Sequence, residues 1–277
     1  MNTNRKDFIS RLVCVPKCAS CKERMSPFVK NDELDHGFPC LCDSCMGKWQ
    51  RARAQMCHTC SNVASECSCM PLKKVFSQPS IPSLFFYHPD QSRTESKVIY
   101  TLKHHNSLDL FRFISAELCP KLIELIELLE IDKNSCVLTH VPRTKKALIE
   151  NGFDQGEALC RAMSADLGMA YAPLLVREGG SEQKRLSRKD RKLNAEKAIF
   201  ANTELKGVRT AGYAKSIGEY LENKTVIIVE DLITTGATLE RAIKCLKSCG
   251  AKNVLVCAVA RSEISSDKKT AKKQSST

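Results

Sequence analysis

Through residue 70 the apolar positions are sparse and follow no period, so a module there would have little apolar core of its own. From residue 83 onward they fall into short runs and helical stripes. Leu84-Phe85-Phe86-Tyr87 reads as a strand, and the stretch 95–105 has helical spacing. The stretch 108–131 predicts one or two amphipathic helices interrupted near Pro120, with Leu118, Leu122, Ile126 and Leu129 as a core-facing stripe. A β/α alternation sets in at residue 135. Cys136-Val137-Leu138-Thr139-His140-Val141 is an apolar run suited to a buried parallel strand, closed by Pro142. Helical spacing over 155–167 follows, then a short strand at Leu174-Leu175-Val176. The clearest strand is Lys224-Thr225-Val226-Ile227-Ile228-Val229. A helix is expected from about Ala237 to Ser248, with Gly250 just past its end as a cap, and a last strand over 253–260.

Elements alternating in this way predict an α/β fold, a parallel sheet with flanking helices on both faces. The expected divisions are a cysteine-rich module over 1–70, a linker over 71–82 with three prolines, the α/β domain over 83–261, and a disordered basic tail over 262–277.

Composition sharpens the front end of this picture. Among the 277 residues are 16 cysteines, ten of them in the first 70 positions. No stretch approaches the roughly 18 uncharged apolar residues of a spanning helix, and Met1 to Asp7 opens no signal-peptide core. A reducing cytoplasm is therefore the expected compartment, where clustered thiols serve metal ligation rather than disulfides. Cys18-x-x-Cys21 followed by Cys42-x-x-Cys45 has the spacing of a closed tetrahedral zinc site. Cys57-x-x-Cys60 with Cys67-x-Cys69 is a second candidate, its CxC half less usual. Cys14, Cys40 and His58 are left as alternative ligands. Lys and Arg exceed Asp and Glu by 12, and two loaded four-thiolate sites would bring that to about +8. The chain stays basic, which favours a polyanionic partner, either a phosphate-rich small molecule or nucleic acid.

The most informative stretch is Val226-Ile227-Ile228-Val229-Glu230-Asp231-Leu232-Ile233-Thr234-Thr235-Gly236-Ala237-Thr238-Leu239. A buried strand brings two adjacent carboxylates to its C-terminal end, where open α/β sheets bind ligands. The loop after it leads into a helix, so its backbone N–H groups form an anion site. An anion cradle beside carboxylates suits a phosphorylated ribose. The Walker lysine is missing. His104 and His105, adjacent on a predicted helix with no partner motif, read as structural or surface residues.

The strand, acidic pair and TTGAT run resemble the phosphoribosyl pyrophosphate (PRPP) motif of type I phosphoribosyltransferases. Val141-Pro142-Arg143-Thr144-Lys145-Lys146 followed by Asn151-Gly152-Phe153-Asp154-Gln155 is similar to that family's proline-containing loop and RGFNQ signature. Gln183, Leu186, Ser187, Arg191, Asn194, Ala198 and Phe200 are spaced like its flexible-loop signature. With the cysteine pairs in front, the arrangement resembles the ComF family, competence-associated proteins that join a zinc module to a phosphoribosyltransferase domain. The resemblance implies that Glu230 and Asp231 hold the ribose hydroxyls and that Thr234, Thr235, Gly236, Ala237 and Thr238 wrap the 5′-phosphate. It assigns Arg143, Lys145 and magnesium to the pyrophosphate, with Gln183, Lys184, Arg185 and Arg191 in a basic loop closing over it. The chain departs from the pattern at Glu230, commonly Asp, and at Asn151 and Asp154, where an arginine is lost and a negative charge gained. An insertion over 207–216 has no counterpart.

Two functions follow from this: an enzyme transferring phosphoribose from PRPP to an acceptor, in DNA uptake or nucleotide metabolism, or a catalytically inactive sensor of PRPP or a nucleotide that holds single-stranded DNA through its zinc fingers and basic surfaces.

Overall fold

A computed structural model describes residues 15–25, 40–69, 78–177, 199–205, 208 and 214–263. Cys14, the loop carrying Gln183, Lys184, Arg185 and Arg191, most of the expected linker and insertion, and the tail beyond 263 lie outside the described residues.

The element order is α1 (Asp43–Arg53), β1 (Ser83–Tyr87), α2 (Thr94–His104), α3 (Leu108–Leu128), β2 (Cys136–His140), α4 (Lys145–Asn151), α5 (Gln155–Leu167), β3 (Ala170–Tyr171), β4 (Leu175–Arg177), β5 (Ile199–Ala201), α6 (Ile217–Leu221), β6 (Thr225–Ile233), α7 (Ala237–Ser248) and β7 (Asn253–Ser262). Five strands form one parallel sheet in the order β1-β7-β6-β2-β3, and β4 pairs with β5 as a small antiparallel hairpin. The α/β fold with flanking helices is the one the alternation predicts.

Alternation along the central strands builds two cores. Ile227 and Val229 of β6 with Leu255 and Cys257 of β7 face α2, α3 and α5, while Val226, Ile228, Val254 and Val256 face α6, α7 and the hairpin. Helix α7 presents Leu239, Ala242, Ile243 and Leu246 to the sheet, the i, i+3, i+4, i+7 stripe of a core-facing helix. Gly250 follows it at φ 95°, a left-handed turn that glycine adopts without strain.

Three sequence expectations change. Helix α3 runs unbroken through Pro120; the proline is exposed, so its ring projects outward and it costs one internal hydrogen bond. Strand β6 continues past Val229 through both acids to Ile233, held by pairing of Glu230 with Ala258 and Leu232 with Ala260. The cysteine-rich segment does contribute apolar core. Cys45, Trp49 and Ala52 lie on the buried face of α1, and the Trp49 ring meets Phe85 at 5.1 Å and Phe113 at 5.6 Å. No described helix is long and apolar enough to cross a membrane.

Candidate functional site

A cavity of about 240 Å³ opens at the C-terminal ends of β2 and β6, the end where parallel α/β sheets receive ligands. Its floor is the run from Thr234 to Leu239. Val141, Pro142 and Arg143 form one wall, and Gln155, Arg177 and Glu230 supply further polar groups. Gly236 turns the chain at φ 74° into α7, leaving the first N–H groups of that helix without internal partners. No backbone or side-chain acceptor is found for the N–H groups of Thr234, Thr235, Gly236, Ala237 or Thr238 among the described residues. Such N–H groups at a helix start are donors that an anion could use.

Adjacent positions on a strand face opposite ways, and this separates the two acids. Glu230 lines the cavity. Burial first, then the charge of Asp231, pushes its carboxyl well above the usual carboxylate range, with Arg177 and Lys103 acting in the other direction. Asp231 is not a lining residue. Its Oδ2 accepts from Gln155 Nε2 at 3.3 Å and lies 3.5 Å from Lys103 Nζ. Lys145 begins α4, is exposed and also stands off the lining.

Two residues at or behind the cavity, Arg177 and His140, carried no recognised signal. Arg177, at the end of β4, lines the cavity with a buried Nε that has no partner among the described residues; in sequence it is one basic residue at the edge of a charged run. His140 and Asp154 brace the wall from behind. Asp154 Oδ2 accepts the Arg143 N–H at 2.9 Å and lies 3.6 Å from His140 Nε2. Its Oδ1 accepts the N–H groups of Gly156 at 2.9 Å and Glu157 at 3.4 Å, capping α5. Gly156 is required here, since a Cβ would stand 2.9 Å from the Cβ of His140. His104, expected as a structural or surface residue, holds Asn151 Oδ1 through Nδ1 at 2.8 Å.

The cysteines gather as the spacing predicts, into Cys18, Cys21, Cys42 and Cys45 and into Cys57, Cys60, Cys67 and Cys69, with all sulfurs of each set within 4.8 Å of one another. Thiolates bound at about 2.3 Å to a tetrahedral zinc stand about 3.8 Å apart. The Cys21 and Cys42 sulfurs are 3.7 Å apart, and those of Cys60 and Cys67 3.5 Å. Both sets fit zinc. Burial opposes ionisation of Cys18, but the N–H groups of Cys42, Cys21 and Ser20 outweigh it and bring the thiol down to about 7. The Asn62 N–H does the same for Cys60, again to about 7. Cys40 belongs to neither set, and burial pushes its thiol up. His58 is occupied by Glu263, which accepts from its backbone N–H at 2.6 Å and meets its Nδ1 at 2.8 Å. Next to the second set the buried Arg261 guanidinium donates to the carbonyls of Cys67 and Cys69, placing a cation beside the four sulfurs.

Fold and site together define a parallel α/β protein with a cavity at the strand ends, floored by the Thr234–Leu239 turn, and two cysteine sets in front whose sulfurs could hold zinc. By sequence, residues 182–276, which include β6, its loop and α7, match the family model described as phosphoribosyl transferase domain. Among solved structures, a hypoxanthine phosphoribosyltransferase from Staphylococcus aureus is 14% identical over 55% of this chain and 62% of its own, with a TM-score of 0.30. An allosteric regulatory enzyme of purine biosynthesis is 19% identical over 53% of this chain and 25% of its own, also at 0.30. A hypoxanthine phosphoribosyltransferase from Trypanosoma cruzi is 14% identical over 57% of this chain and 84% of its own, at 0.33. The chain thus spans less than two thirds of the length of the first two, and none of these values is high enough to transfer an activity. No curated protein matches the sequence.

Proposed function

We propose that this chain is a ComF-like protein of the phosphoribosyltransferase type that binds PRPP with magnesium in the cavity at the ends of β2 and β6. The observation that carries the reading is the run of unpartnered N–H groups from Thr234 to Thr238 on the same cavity as Glu230. The 5′-phosphate takes the N–H groups, a ribose hydroxyl takes Glu230, and the pyrophosphate lies toward Arg143 and Arg177. The ComF resemblance assigns Gln183, Lys184, Arg185 and Arg191 to that same pyrophosphate.

Magnesium prefers oxygen ligands and keeps several waters, a demand that the pyrophosphate oxygens would meet, since Asp231 is engaged by Lys103 and Gln155 and burial holds Glu230 toward its uncharged form. When bound it supplies neutralisation of the leaving group. In the transfer, the C1–O bond breaks and pyrophosphate departs with its electron pair. An acceptor nitrogen forms the C1–N bond and releases its proton to solvent. The chain's share is positioning and electrostatics: the loop fixes the phosphate, Glu230 orients the sugar, and the arginines stabilise the departing charge. Calorimetry with PRPP and magnesium tests it. Wild type binds, and Asp231→Asn, which removes the charge facing Lys103 and leaves Gln155 a weaker, neutral acceptor, binds at least tenfold more weakly. An absence of wild-type binding overturns the reading. Release of pyrophosphate with an acceptor present then tests turnover.

The net charge of +12 favours one alternative, an inactive PRPP or nucleotide sensor that holds single-stranded DNA. Its signature is DNA affinity that falls steeply with salt and exceeds that of an unrelated protein of equal charge.

A further inference from the structure

We infer that Gln155 is a second sugar-hydroxyl receptor in the cavity, its amide oxygen left for the ligand because Asp231 holds the amide nitrogen. The inference rests on the phosphorylated-ribose reading above and divides the work of the acidic pair differently: Glu230 touches the sugar, while Asp231 positions the residue that does.

Gln155 opens α5 directly after Asp154, whose cap fixes the start of that helix. Its Nε2 donates to Asp231 Oδ2 at 3.3 Å. An ionised carboxylate only accepts hydrogen bonds, so chemistry sets which end of the amide faces Asp231. The nitrogen is turned to the acid and Oε1 is turned away from it. That oxygen is buried and has no hydrogen-bond partner among the described residues. Buried acceptors in folded proteins are nearly always paired, so an orphan on a ligand cavity marks a place where the ligand supplies the donor. Gln155 shares the cavity with Glu230 and with the N–H run of Thr234–Thr238. A molecule whose phosphate occupies that run and whose hydroxyl reaches Glu230 brings O–H donors to the same region. Lys103, 3.5 Å from Asp231, offsets the charge of Asp231 beside Glu230 and leaves it free to act as an acceptor for Gln155. An acceptor placed in this way rejects ligands lacking the matching donor far more strongly than an apolar wall does.

The test uses the full zinc-loaded chain and two probes, ribose 5-phosphate and inorganic phosphate, titrated calorimetrically against wild type, Gln155→Met and Gln155→Ala. The methionine keeps the length of the side chain without its acceptor, and the alanine guards against misfit of the longer residue. Ribose 5-phosphate affinity is expected to fall about tenfold in both variants, while inorganic phosphate affinity changes less than about twofold. In an Asp231→Ala background the further effect of Gln155→Met is expected to shrink below about threefold, because no acceptor is left to orient the amide. Wild-type affinity for ribose 5-phosphate in both Gln155 variants overturns the inference and leaves the proposed function standing; so does an equal loss of both probes, which signals a structural role. Wild type that binds neither probe overturns both.

Discussion

At Asp154 the chain replaces the asparagine of the RGFNQ pattern with an acid, and the structure shows what receives the charge. Burial opposes ionisation, but His140 and the N–H groups of Arg143 and Gly156 outweigh it and hold the carboxyl below its usual range. A carboxyl lowered on folding contributes stability that is fully present above its unfolded value, near 4, and is lost as pH falls through the folded one. Asp154→Asn keeps one oxygen for the α5 cap and loses the acceptor of the Arg143 N–H. Urea unfolding is expected to show the variant ~1–2 kcal/mol less stable at pH 7, with the difference closing as pH drops below ~4. A gap that stays constant with pH contradicts the assignment. The new charge was legible in the sequence as a departure, but its partner was not: His140 ends an apolar run upstream, and nothing in that run says which side chain it will meet.

Among the elements, α3 is the one whose sequence and structure pull apart. Pro120 sits within a helix that continues for two more turns. The pairing of a buried face with the core, through Leu118, Leu122, Leu125 and Ile126, outweighs the local cost of a missing N–H donor. Pro120→Ala restores that donor on an exposed surface and is expected to raise stability by ~1–3 kcal/mol, read as a higher denaturation midpoint with an unchanged slope. The length of β6 was hidden for a related reason. Glu230 and Asp231 break the apolar run, so pattern alone ends the strand at Val229; the neighbouring β7 supplies backbone pairing through Ile233, and that ladder is indifferent to side-chain polarity. Strand β4 was legible as the short apolar run Leu174–Val176, whereas β5, three residues long, is too short to leave a period at all.

For the whole molecule, the cysteine sets and the sheet form one packed unit rather than beads on a string. Trp49, the single tryptophan, is fully buried between the first set and the sheet core, and Arg261 at the end of β7 reaches the second set. Metal content is expected at two zinc ions per chain by mass spectrometry. Stripping them with a chelator is expected to red-shift Trp49 emission and to lower the melting temperature of the sheet in the same step, by several degrees, since ~1 kcal/mol shifts a chain of this size by ~2–4 °C. A shifted emission with unchanged sheet melting contradicts a joint unit. The sequence by itself determined what depends on local order: the β/α alternation, the CxxC pairs that gather into two sets of four thiols, and the Thr234–Thr238 turn that opens a helix, because each is carried by spacing along the chain. Tertiary structure alone decided which polar groups meet. Glu230 and Asp231 are neighbours in sequence yet part company on a pleated strand, and Gln155, Arg177 and Lys103 come to them from other elements, as His140 comes to Asp154, brought there by packing that pairs apolar faces and carries the polar side chains along.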